Sequence, residues 1–455
     1  GLLVDDPRLE SGEVDISPSG GLLDAPVSVE LNTSDGEIYY SLDGSNPSPT
    51  SPNSMLYEGA IEVSETTVVR ARCFSAGKVP GPIATKSYFM GESFSGLPYL
   101  SVVADPETLF GDEIGIYLNR HERNVGVGPS VYKGKDAPGH LEFFPEGGGE
   151  GFGVNGGFRI GGENNWASHW QRALNFTTRG KYGDDGINFD LFPGSGIPTF
   201  TALTLREGGD DWGRAHLTDA LFDSIVRGRL EVETNRFRPS VLFINGAYWG
   251  LYNIRDRWDD NWLFQHYGTN DGEYDRIDLG NGAIADNGNT DDYNDLIQYL
   301  DGVDLNDPNV WAVIESRIDI VSAVDFVIAE GYSRNSSWSG NREIWRDHRP
   351  GGKWRYFIPD MDRTFGNSSF SRRMGPLMSG DQIIRRIQGS AEFKKLLAQR
   401  YAAHLVTTFD ESRMHGLIDY FSGLMSPELP RQRDRWGGVP SETSYPFSIQ
   451  RMKNF

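Results

Sequence analysis

The sequence predicts a multidomain chain, a small all-β sandwich followed by a larger α/β (α+β) domain. Three observations predict it. Residues 13–92 are short alternating or β-branched runs parted by turn clusters. Strands and glycine-rich loops follow from residue 93, then alternating segments. The C-terminal stretch repeats its apolar residues every three or four positions, the period of amphipathic helices. At 455 residues, 38% hydrophobic, the chain is long enough for more than one core.

Composition narrows the functional classes. There are 43 Lys and Arg against 64 Asp and Glu, a net charge of -21. That argues against nucleic acid or an anionic membrane surface as a general partner, because both need basic clusters. The 55 glycines call for many turns. One cysteine, Cys73, excludes an internal disulfide framework, and its strand-like setting predicts a buried thiol. No apolar run reaches the roughly 18 residues of a membrane span. The chain starts at Gly1, which reads as part of something longer, and its composition suits a secreted or surface protein.

Residues 1–12 read as a tail or linker. "VSVELNT", "GEIYYSLDG", "AIEVSETTVVRARCFS" and "IATKSYFM" read as strands of the sandwich. The stretch from Ile38 to Gly81 resembles the small β-sandwich module at the C-terminus of chitobiase and β-hexosaminidase, in its "YYSLDGSNP" turn and its "TTVVRARCFSAG" strand. That resemblance implies an accessory domain without chemistry of its own. After the hinge "GESFSG", the larger region begins at "LPYLSVVADPETLFG". "IVSAVDFVIAEGY" reads as a helix, and "REIWRD" and "KWRYFIP" as strands around the turn "HRPGG". "DQIIRRIQGSAEFKKLLAQRYAAHLVTTF" reads as helical, and "SRMHGLIDYFSGLM" as a helix stopped by Pro427 and Pro430.

Chemistry concentrates in "FIPDMDRTFG". If Asp360 and Asp362 continue the strand before them, they share one face. Two charges that close repel unless a divalent metal, neighbouring arginines or water at the strand end relieves them. The loop before the hairpin carries Asn335, Trp338 and Asn341, an amide-then-aspartate order like that with which kinases hold Mg²⁺. Arg159, Arg172, Arg206, Arg255 and Arg257 close or follow apolar runs, suited either to a polyphosphate or to ion pairs. "GFGVNG" fits a phosphate loop or a plain hairpin. The histidines show no zinc spacing and no nucleophile elbow appears. "TNDGEYDRID" and "DGVDLNDPN" read as solvated acidic turns.

"GFRIGG" with "QRALNF", "LTLREGGDD", "VLFINGAYWGLYNIRDRW", "FQHYG", the N-x-x-W-x-x-N loop and "KWRYFIPDMDRTFG" stand in this order, closed by the C-terminal helical block. Over most of residues 95–440 the chain resembles the spore-coat-protein-H (CotH) kinase family. The resemblance implies an atypical protein-kinase-like domain over 93–455. It also implies a secreted or cell-surface bacterial location, and transfer of phosphate from ATP to Ser or Thr of a surface protein partner. It implies ATP and Mg²⁺ as cofactors, with Ca²⁺ or Mn²⁺ as alternative ions. It places the metal at Asp360, Asn341 and Asp362, the nucleotide at Arg159, Arg172, Arg206, Arg255 and Asp256, and catalysis at Asp360 and Ser337.

Several positions depart from the family pattern. Ser337 replaces the aspartate of Asn-x-Asp-Trp, and Arg342 follows Asn341 where a second asparagine is common. Arg172 replaces a lysine, Asp256 a glutamate, and Thr218 an arginine. These departures keep a second expectation open, a degenerate kinase acting as a structural, partner-binding or carbohydrate-binding surface component.

Overall fold

The computed structural model describes residues 10–93, 95–117, 136–161, 170–280, 282–366 and 370–455, with backbone alone for 370–373. The first nine residues of the expected tail, and the histidines at 121 and 169, lie outside the described residues. The chain divides into two compact units. The first holds Gly1–Glu207, Pro239–Ile254 and Pro427–Gly438; the second holds Gly208–Arg238, Arg255–Ser426 and Val439–Phe455. The stretch expected as one domain from residue 93 is therefore shared between two units.

In the first unit, residues 10–12 are no free tail. Glu10 bridges Val79, and the Ser11 backbone N–H donates to the Val79 carbonyl at 2.9 Å. Eight strands then build the sandwich. β1 (Val14–Ser17), β3 (Val27–Thr33) and β6 (Ile61–Val63) form one sheet in the order β1-β3-β6. β2 (Gly21–Leu23), β8 (Ala84–Met90), β7 (Thr67–Phe74), β4 (Glu37–Ser41) and β5 (Met55–Leu56) form the other, in that order. Period-two alternation turns Val29 and Leu31 inward to meet Val69, Ala71 and Cys73 from the facing sheet. Cys73 is fully buried, as its setting predicts. Gly36, at φ +76°, makes the turn between sheets where a Cβ would strike the Phe74 carbonyl.

Beyond the sandwich, the expectation of an α/β region from residue 93 meets a closed barrel. Its order is β10 (Ala137–Phe144), β11 (Phe152–Ile160), β12 (Leu174–Thr177), β15 (Ala202–Arg206), β18 (Ala247–Asp256), β17 (Phe237–Ile244) and β9 (Tyr99–Ala104). β17 runs parallel to β9 and closes the ring, which removes exposed strand edges. Leu100, Val102, Leu141, Phe143, Phe158 and Leu205 belong to the packed core. A short pair, β13 (Ile187–Asn188) and β14 (Thr199–Phe200), accompanies it. "GFGVNG" is no phosphate loop: all but Gly151 lies within β11, paired there with β10.

The second unit has a five-stranded sheet ordered β16 (Glu233–Thr234), β22 (Arg355–Ile358), β21 (Glu343–Asp347), β19 (Tyr274–Asp278) and β20 (Ile284–Asn287). β21 and β22 are the expected hairpin. The helix Ile320–Ser333 is capped by Asp319, which accepts from the Ser322 N–H at 3.1 Å. It packs on β22, with Phe326 stacked 4.4 Å from Tyr356. It ends at Arg334 in the left-handed region, φ 54°.

The expected C-terminal helical run breaks in two, Gln382–Ile387 and Ala391–Leu405, because Ser390 caps a new helix through the Glu392 N–H at 3.2 Å. Leu405, one of the periodic apolar residues of this run, is exposed. Helix Glu411–Met425 ends before Pro427 as expected, but Pro430 sits in the first turn of another helix, Leu429–Arg435. Among the described residues no helix is long and apolar enough to cross a membrane.

Candidate functional site

β22 ends at Ile358, so Asp360 and Asp362 do not share a strand face as expected. A turn brings them together instead. The Asp362 N–H donates to Asp360 Oδ1 at 3.3 Å, and the Thr364 hydroxyl to the Met361 carbonyl at 2.8 Å. Met361, between the two acids, is buried. Its N–H donates to Asp219 Oδ1 at 2.8 Å, which draws in a third carboxylate. Asp219, Asp360 and Asp362 each place an oxygen within 4.8 Å of the others.

Local sequence explains where Asp219 stands. It lies in the first turn of the helix Thr218–Val226. That helix lacks a side-chain cap of the ordinary kind, and Asp211 supplies one from upstream. Its carboxylate accepts from the Leu217 and Thr218 N–H groups at 3.0 and 3.1 Å and from the Thr218 hydroxyl at 2.6 Å. Burial pushes Asp211 up to about 6, against these hydrogen bonds. Asp362 Oδ2 is held by the Asp210 N–H at 2.8 Å, and Arg363 pairs with the Asp210 carboxylate.

The loop after the Ile320–Ser333 helix organises the other flank. Asn335, fully buried, donates from Nδ2 to the Asp360 carbonyl at 3.2 Å. Its Oδ1 accepts from the Ser337 N–H at 3.0 Å and the Ser337 hydroxyl at 2.9 Å. Asn341 Nδ2 approaches Asp360 Oδ2 at 3.5 Å. Glu330, buried on the helix, lies 3.4 Å from Asn335 Nδ2. Burial pushes Glu330 up to about 8, with the Asp360 charge adding and the Asn335 hydrogen bond opposing. Asp219, Glu330 and the bridging role of Asn335 were missed in the sequence. An Asp in the first turn of a helix is ordinary, and nothing local marks it as a partner for residue 360.

The arginines divide between the units. In the second, Arg255 Nη2 donates to the Pro359 carbonyl at 2.5 Å and its guanidinium lies 5.4 Å over Phe237, so it braces the acidic turn. Asp256 is buried and accepts from the Arg236 N–H at 2.6 Å and Trp262 Nε1 at 3.0 Å, which ties strand to helix. In the first unit, Arg159 pairs with Asp136. Arg172 precedes β12, is buried, and lies over Trp170 and Tyr117 at 5.0 and 5.4 Å. Arg206 is the last residue of β15.

A trio of carboxylates on a braced turn, on a unit of helices around a mixed sheet, defines a candidate divalent-cation centre. A family model described as CotH kinase protein matches residues 165–455. The chain belongs to that family. A second model, chitobiase/beta-hexosaminidase C-terminal domain, matches residues 18–85, within the sandwich. No curated protein matches the chain. The CotH match begins at residue 165, so Arg159 falls outside it.

Proposed function

We propose that the chain is a secreted or cell-surface CotH-type phosphotransferase that takes ATP with Mg²⁺ and phosphorylates Ser or Thr of a surface protein. The observation that carries this reading is the convergence of Asp219, Asp360 and Asp362 within 4.8 Å on a turn held from several sides. Hard carboxylate oxygens with an amide nearby suit Mg²⁺, Mn²⁺ or Ca²⁺. When bound, the metal would supply positive charge that offsets the charge of the nucleotide phosphates.

The chain's own residues do the positioning. Asp219, Asp360 and Asp362 would hold the cation, and Asn341 faces Asp360. Arg255 and Asn335 fix the backbone carbonyls of Pro359 and Asp360, so the carboxylates keep their spacing. The acceptor hydroxyl oxygen forms the new bond to the γ-phosphorus as the β–γ bridge breaks and ADP leaves. At Ser337 no carboxylate receives the hydroxyl proton, which passes to water or to the transferred phosphoryl. Loss of a general base slows such a step by about 10²–10⁴-fold.

Thermal melting with ATP and Mg²⁺ or Mn²⁺ tests nucleotide binding, since a ligand that binds the folded state raises the melting point. Labelled-ATP transfer by wild type and Asp360→Ala then tests catalysis. No melting shift at millimolar nucleotide overturns the reading.

One observation favours a second reading, a nucleotide-holding scaffold without turnover. The N–H and hydroxyl of Ser337 both turn to Asn335, so this side chain serves the loop rather than an incoming hydroxyl. ATP binding without transfer would select it.

A further inference from the structure

The second unit carries a cavity of about 510 Å³ that the acidic cluster does not use. Arg334, Phe447, Gln450, Arg451, Asn454 and Phe455 line it. We infer that this cavity is a docking site for a phosphomonoester, the phosphoserine or phosphothreonine of a protein already phosphorylated once. The assignment of that ligand as a primed substrate rests on the phosphotransferase reading; the site's chemistry does not.

Charge is the first argument. The protein carries -21, yet two guanidinium groups and no Asp or Glu side chain line the cavity among the described residues. Arg451 is half-buried and its Nε is enclosed without a hydrogen-bond partner among the described residues. Burial and the charge of Arg214 both push Arg451 down, against a weaker pull from Asp211. Asp211 is already engaged by Leu217 and Thr218. A bound dianion would relieve this crowding of like charge.

Shape selects the kind of anion. Arg334 lies 4.1 Å over the Phe455 ring. Stacking occupies the face of a guanidinium, whereas its N–H edge is what grips phosphate. The Phe455 ring is set by Phe365 at 5.3 Å and Tyr332 at 5.8 Å. Gln450 donates to Asn454 Oδ1 at 2.9 Å, which leaves the Asn454 amide N–H groups as further donors to an anion. Two arginines with an amide match the three oxygens and double charge of a phosphomonoester better than one carboxylate. At the rim, Phe447 is 62% exposed, an apolar ring suited to a peptide rather than a free ion.

The backbone ties this cavity to the candidate site. Arg334 immediately precedes Asn335, and the Phe365 N–H donates to the Ser333 carbonyl at 2.9 Å. The loop that carries Asn335 and the turn that carries Asp360 and Asp362 therefore both reach the cavity, through Arg334 and Gly366. A phosphorylated residue held there keeps the rest of its peptide near the segments that would act on the next hydroxyl.

The test uses the full chain without nucleotide or metal. Fluorescence anisotropy measures a labelled peptide with one phosphoserine flanked by apolar residues. Serine and glutamate versions and inorganic phosphate serve as comparisons. The phosphopeptide is expected to bind at least tenfold tighter than all three, and Arg451→Ala to weaken it about 10–100-fold, as for loss of a charged hydrogen-bonded pair. Phe447→Ala should weaken the peptide while leaving inorganic phosphate unchanged, and Asp360→Ala should leave peptide binding intact. Equal binding of the serine or glutamate peptide, equal affinity for inorganic phosphate, or wild-type binding by a folded Arg451→Ala would overturn the site. Phosphopeptide binding without labelled-ATP transfer would overturn the phosphotransferase reading alone and leave the docking site standing.

Discussion

Asn335 donates its side-chain amide to the carbonyl of Asp360 at 3.2 Å. The same side chain accepts from Ser337 on its oxygen, so one buried residue sets both the acidic turn and the loop beside it. Asn335→Ala strands these groups. The expected cost is about 2 kcal/mol of stability. Mn²⁺ affinity is expected to fall by about tenfold or more, as when a residue that orients ligands is lost. Chemical denaturation and metal titration check the two effects separately; an unchanged metal affinity would contradict the organising role.

Asp219 belongs with Asp360 and Asp362. Asp219→Asn keeps an acceptor for the Met361 N–H and removes one of three mutually repelling charges. The metal-free protein is expected to melt higher than wild type, and the upward shift with millimolar Mn²⁺ to shrink or vanish. A full metal shift in this variant would remove Asp219 from the centre.

Ser337→Asp places a carboxylate where the family pattern has one. It gives up the serine hydroxyl bond to Asn335 but keeps the backbone N–H that also bonds there. Labelled-ATP transfer is expected to rise, by up to about 10²–10⁴-fold for a restored base. Equal rates in both proteins would mean that the hydroxyl proton needs no acceptor at this position.

Glu330 gives the second unit a pH signature. Its ordinary value is 4.5 and burial pushes it up to about 8. The folded protein thus holds a proton that the unfolded chain releases. The associated stability is complete below about 4.5, declines above it, and is lost as pH rises through about 8. Glu330→Gln removes this proton from the balance. Its melting temperature is expected to fall less than that of wild type between these pH values, measured by calorimetry across the range.

In the first unit, Gln171 and Gln432 form a reciprocal buried amide pair. Gln432 donates to Gln171 Oε1 at 2.7 Å and accepts from the Leu251 N–H at 2.9 Å. Gln432→Met leaves Gln171 and the Leu251 N–H without these partners and is expected to destabilise the protein by about 2–4 kcal/mol. Denaturant titration reads the change; a loss below about 1 kcal/mol would show that the pair is replaceable.

The sequence by itself determined the locally periodic parts. Alternation in "VSVELNT" and "TVVRARCF" settled which residues of β3 and β7 face the sandwich core, and Cys73 with them. Spacing in "IVSAVDFVIAEGY" marked the helix that delivers Asn335, and "HRPGG" marked the hairpin before Asp360. These features depend on neighbours within a few residues, where backbone period and turn chemistry are strong signals. Only the tertiary structure decided that the strands from Tyr99 to Asp256 close into a barrel, because closure depends on the parallel pairing of β17 with β9. It alone brought Asp219 to Met361 across 142 positions, and set Arg255 to bracing a carbonyl and Arg159 to an ion pair. Convergence over such separations is set by register and packing between elements, which no short stretch of residues encodes.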